Sequence, residues 1–240
     1  MIQQGINWAS LLADNAAPYV TFFGMIVGAL ILGATPLGKP LKWAETFYHE
    51  FSHGMACLFT LGRPVRLQIQ FNGAGTCWTR GGSRIIILLM GYMGASVWGA
   101  ALYLIGWMLA NVGHGDPTLW LRLEIILMLI TVVWLVRDLK TLFILSTLIA
   151  LYAATLYLPS VTPLPYILQF LGIYVQLNAI RAPLHLVDGR HVGDGAALAD
   201  ILWIPEGVWI LFWFAFALAM LALCALLTLP GLAPALGFGM

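Results

Sequence analysis

The sequence predicts an all-α polytopic membrane protein of about seven transmembrane segments, with a short β-hairpin between the second and third. Three observations carry this. Of the 240 residues, 61% are hydrophobic and 9% charged, against roughly 25% charged in soluble domains. So few charges cannot cover a water-exposed surface of this size. The apolar residues fall in runs of about twenty, the length that crosses a bilayer. One stretch, Val65 to Arg80, abandons that pattern for period two. Residues 1–240 read as a single membrane-embedded domain with no room for a large soluble module. A net charge of +1 offers no basic patch, so nucleic acid is not an expected partner. Cys57, Cys77 and Cys224 are odd in number and lack CxxC spacing, which argues against a disulfide framework or a Cys-based zinc knot.

The first crossing is Pro18 to Leu37; the residues before it lack a positive n-region, so it reads as a retained span. Gly38-Lys39-Pro40 punctuates the chain, and Pro40 suits the first turn of a helix over 41–61. In the hairpin, 64–80, Val65 to Phe71 alternates, Asn72-Gly73 turns, and Thr76 to Arg80 returns. Such a sheet cannot lie bare in lipid, so it belongs at the interface or against the helices. It is either structural or an edge that pairs with an extended peptide. Ser83 to Asn111 carries Gly91, Ala95 and Gly99 at spacing four, a packing signal for membrane helices. Leu119–Val136, Thr141–Leu158, Tyr166–Ile180 and Gly207–Leu229 complete the set, and 181–205 holds most of the remaining charge. Arg63, Arg66, Arg80, Arg84, Arg137, Lys140, Arg181 and Arg190 fall in alternate loops. Seven crossings then put the N-terminus in the cytoplasm and the C-terminus outside.

The 41–61 helix holds Tyr48-His49-Glu50-Phe51-Ser52-His53. Residues four apart share a helix face, so His49 and His53 can offer both imidazoles to one Zn²⁺, with Glu50 beside them as general base. Glu45, His49, His53 and Cys57 form a polar stripe in an apolar helix. Ionisable groups at membrane depth are costly and turn to a protein interior or a water-filled cavity. Glu45, one turn before His49, is a candidate to orient a ligand imidazole or, equally, to mark the membrane boundary. A catalytic zinc takes three protein ligands. The candidates for the third lie in 178–200: Asp188, at the end of the Leu-His-Leu-Val run, comes first. Asp194 is the alternative, although it also fits a helix N-cap, and His185 follows.

These residues resemble the site-2 protease family of intramembrane zinc metallopeptidases, most closely its small bacterial branch. The likeness rests on His49-Glu50-Phe51-Ser52-His53-Gly54, a β segment, Arg80-Gly81-Gly82 and Gly91-Tyr92-Met93-Gly94, and covers roughly 42–200. The family's later Asn-x-x-Pro-x-x-Pro-Leu-Asp-Gly motif is loosened here to Asn178, Pro183 and Leu186-Val187-Asp188-Gly189. The resemblance implies proteolysis of transmembrane segments of other membrane proteins in a bacterial inner membrane. It implies Zn²⁺ as cofactor, Glu50 as catalytic residue, Asp188 as completing ligand and Asn178 near the metal or substrate. Two other readings compete: a non-proteolytic membrane scaffold of the same fold, and a small ion transporter with Glu45, His49 and His53 lining its path. The chain shows no internal repeat of the kind transporters often carry.

Overall fold

A computed structural model describes residues 16–112, 115–158, 160–187 and 191–236. Helix α1 (Ala16–Gly33) leads through a 3-10 turn (Pro36–Gly38) to α2 (Lys39–Phe59), the motif helix. Strands β1 (Arg63–Ile69) and β2 (Gly75–Arg80) follow, and then α3 (Arg84–Asn111), α4 (Pro117–Leu135), α5 (Leu139–Thr155) and α6 (Leu164–Arg181). A second 3-10 turn (Ala182–Leu186), α7 (Asp194–Leu202), α8 (Glu206–Thr228) and the short α9 (Leu232–Ala235) close the described chain. Asp116 and Asp138 cap α4 and α5, accepting from the backbone N–H of Thr118 and Thr141.

Among the described residues, α1, α3, α4 and α8 are long and apolar enough to cross a membrane, and α5 is a shorter apolar helix. The motif helix and α6 fall outside that set. Lys39, Lys42, Glu45, His49, Glu50 and His53 dilute the first, and Gln169, Gln176 and Asn178 the second. The expected seven crossings also conflict with how the ends meet. The Tyr19 hydroxyl, in the first turn of α1, donates to the Pro230 carbonyl just beyond α8 at 3.2 Å. Tyr103 of α3 joins the same end through Thr228 (2.9 Å) and an edge contact with Phe22. A chain that starts and finishes its helices at one face crosses an even number of times. The start of α1 therefore lies on the same side as the end of α8, which corrects the expectation of opposite sides.

The cations sort accordingly. Arg66 meets Asp138 at 3.5 Å, bringing the hairpin to the start of α5, and Lys42 packs against Gly73 at the hairpin tip. Lys39 and Lys42 share a cavity of about 270 Å³ with Arg181, although alternating loops would set them on opposite faces. Every described Lys and Arg lies toward the hairpin end except Arg122, near the start of α4.

The centre of the bundle is the α3–α6 crossing. A Cβ on Gly99 would sit 3.0 Å from the Gly172 carbonyl, so both helices need a residue without a side chain there. Ala95 packs with Ala179 and Ala217 one turn along. In the hairpin Leu67 pairs with Cys77 and Ile69 with Gly75, with an irregularity between Pro64 and Arg66. Asn72 closes its turn by accepting from the Ala74 N–H (3.0 Å), and Gly73 takes φ 87°. Leu67 and Ile69 enter the core, so the sheet is covered rather than bare.

Candidate metal centre

On α2, His49 and His53 point the same way, and α3 passes close enough to cradle them. A Cβ on Gly91 would lie 2.5 Å from His53 Nε2 and 2.7 Å from His49 Cε1, so glycine is what leaves room for the two rings. Tyr92 closes edge-on against His49 at 4.5 Å between ring centroids. The Ile87 carbonyl lies 2.6 Å from His53 Nδ1. That bond puts the proton on Nδ1 and turns the Nε2 lone pair into the cleft.

The carboxylate that meets this pair is Asp194, the first residue of α7. Its Oδ2 lies 3.3 Å from His49 Nε2 and 3.2 Å from His53 Nε2, and the two Nε2 atoms are 3.1 Å apart. Gly193, at φ 110°, turns the chain into this position. Leu198 anchors α7 by packing with Leu88 and Trp213, while Gly195 backs onto Glu206, the first residue of α8. Burial opposes ionisation of Asp194, but imidazoles of His53 and His49 that carry a proton outweigh it and hold the carboxyl well below the usual range.

Three donors bound to one tetrahedral ion at the usual zinc distances of about 2.0–2.1 Å are separated by about 3.3–3.4 Å. The three edges here are 3.1, 3.2 and 3.3 Å. The chemistry of the set, two neutral imidazoles and a carboxylate, is also that of catalytic zinc sites. The residues present therefore fit the ion.

Glu50 is buried beside the pair in a cleft of about 530 Å³ that is also lined by Glu45, Arg84 and the tip and β2 strand of the hairpin. Gly75 approaches so closely that a Cβ there would overlap the Glu50 carboxylate, and the Cys77 backbone N–H faces the same group. Trp43 Nε1 donates to the Phe71 carbonyl (3.2 Å) and Thr46 Oγ1 to the Gly73 carbonyl (2.8 Å), pinning the hairpin tip to α2. The Ile69 N–H donates to Thr141 Oγ1 at 2.9 Å, so the outer edge of β1 is taken by α5. The outer edge of β2 is the one that faces the cleft.

The expected site residues thus divide. The structure brings His49, Glu50, His53 and Asp194 together and sets Glu45 at the cleft wall. Asp188, the first candidate for the third ligand, lies outside the described residues; among the described ones Asp194 is the carboxylate at the pair. Asn178 and His185 line the neighbouring 270 Å³ cavity instead, and Asn178 Nδ2 donates to the Tyr174 carbonyl. Cys57 ends the polar stripe but packs with Ala56 and Ile87. The Ile87 carbonyl has no sequence signature, because any residue supplies one. Gly91 had two, the spacing-four stripe and the Gly91-Tyr92-Met93-Gly94 run, but neither points to the imidazoles it makes room for.

Four membrane-length helices and a two-His, one-carboxylate cluster define an integral membrane protein with a candidate metal centre. Residues 22–224 match the family model described as Peptidase M50B-like, and the chain belongs to that family. No curated protein and no solved structure matches it significantly.

Proposed function

We propose that the chain is an intramembrane zinc endopeptidase that cuts other membrane proteins in or near their transmembrane segments. Membership of the Peptidase M50B-like family supports this, and the observation that carries it is the donor triangle with 3.1–3.3 Å edges beside the buried Glu50. His49, His53 and Asp194 hold the ion. Zinc at such a position acts as a Lewis acid that makes water nucleophilic near neutral pH and polarises a carbonyl. Glu50 takes the proton from the attacking water and returns it to the leaving amine as the C–N bond breaks. The cleft-facing edge of β2 pairs with the substrate backbone, which must leave its helix to present a peptide bond. Nearly all cations sit at the hairpin end, so the positive-inside rule turns the cleft toward the cytoplasm of a bacterial inner membrane.

The test is zinc content of detergent-purified protein together with cleavage of a transmembrane substrate by wild type and Glu50→Gln. The expected result is about one zinc per chain in both, with cleavage falling by about 10²–10⁴-fold in the variant. Zinc without Glu50-dependent cleavage sinks the protease reading and leaves a scaffold; absence of zinc sinks the metal centre.

A further inference from the structure

Behind the cleft, the buried face of α4 (Leu121, Glu124, Met128, Thr131 and Leu135) carries one ionisable side chain: the carboxyl of Glu124, about 10 Å into the helix. A carboxyl at that depth in an apolar span is costly and calls for a reason. Its partner is on the motif helix. The Tyr48 hydroxyl donates to Glu124 Oε2 at 2.8 Å. Tyr48 is fully buried, and its ring stacks on Trp98 of α3 at 5.5 Å and 27°. The Tyr152 hydroxyl of α5 is buried on the same side, facing the Tyr48 hydroxyl.

Tyr48 immediately precedes His49 and sits about 100° around the helix from it. A turn of α2 that releases the hydroxyl from Glu124 therefore swings both imidazoles out of line with Asp194. We infer that Glu124 is a positioning residue: through Tyr48 it fixes the rotation of α2 and so holds His49 and His53 at the spacing the metal requires. This rests on the metal reading above. The same α4–α5 pair grips the hairpin through Asp138 and Thr141, so one scaffold sets both walls of the cleft.

The test uses full-length protein in detergent, with zinc affinity read by chelator competition, melting temperature, and kcat and KM for cleavage. Tyr48→Phe and Glu124→Leu are each expected to weaken zinc by roughly 10-fold, the lower end of what loss of a supporting group costs a metal site. They should lower kcat with KM little changed, and the double variant should be no worse than the worse single one. Glu124→Gln keeps an acceptor for the Tyr48 hydroxyl and is expected to retain wild-type zinc affinity; with Tyr48→Phe it serves if Glu124→Leu fails to fold. Unchanged zinc affinity in Tyr48→Phe overturns the inference. So do multiplying effects in the double variant, losses that track melting temperature alone, or a Glu124→Gln defect as large as that of Glu124→Leu. A wild type that binds no zinc removes the metal reading, and the positioning role falls with it.

Discussion

Replacing Gly91 by alanine puts a methyl group where α3 now clears the imidazoles. The new Cβ would lie 2.5 Å from His53 Cε1 and Nε2 and 2.7 Å from His49 Cε1, while ordinary contact begins at 3.4 Å. Either the His53 ring retreats by about 0.9 Å or α3 backs away from α2 by as much. Zinc sites hold their distances to within about 0.2 Å, so neither adjustment leaves the donor triangle intact. Overpacking of this kind costs about 1–3 kcal/mol. If that cost falls on metal binding, zinc affinity drops roughly 5- to 150-fold. Chelator competition on purified protein measures this, with a melting curve and far-UV dichroism to show that the helices persist. Gly24→Ala is the control, because a Cβ there meets nothing within 4 Å. Wild-type zinc affinity and cleavage in Gly91→Ala would refute the claim that this glycine makes room for the ligands.

Asp194→Ala is expected to abolish stoichiometric zinc, with Asp188→Ala retaining it; metal analysis of the two proteins decides which carboxylate completes the site. Thr141→Val strips the Ile69 N–H of its buried partner, which costs about 1–3 kcal/mol. It should lower the melting temperature while zinc content holds, because Trp43 and Thr46 still pin the hairpin tip to α2. A membrane-impermeant maleimide on intact cells should label Ser160→Cys and reach Lys140→Cys only after permeabilisation. The reverse pattern would overturn the orientation.

Much of the site was readable because helical and strand periods are strict. His-Glu-x-x-His in an apolar run has one geometric meaning, and His49 and His53 take it. The hairpin was equally legible, since Asn72-Gly73 between alternating stretches leaves few other conformations. In sequence Asp194 ranks behind Asp188, because an Asp-Gly after an apolar run looks like a ligand segment, whereas Gly-Asp-Gly looks like a cap. It is in fact the first residue of α7 and meets the imidazoles as well. The Gly193 turn and the packing of Leu198 and Gly195, far apart in sequence from α2, aim it there. The crossing count failed for a related reason: hydropathy registers length and polarity but not direction. The Tyr19–Pro230 bond that fixes the parity joins residues 211 apart. Gly91 belongs to the same class, its partners lying on another helix.

X-ray absorption at the zinc edge on metal-loaded wild type reads the donor set itself. Imidazole nitrogen and carboxylate oxygen scatterers are expected at about 2.0–2.2 Å, with two imidazoles per ion and no sulfur shell near about 2.3 Å. A sulfur shell, which would bring in Cys57 or Cys77, or a spectrum unaltered in Asp194→Ala, would contradict a site built from His49, His53 and Asp194.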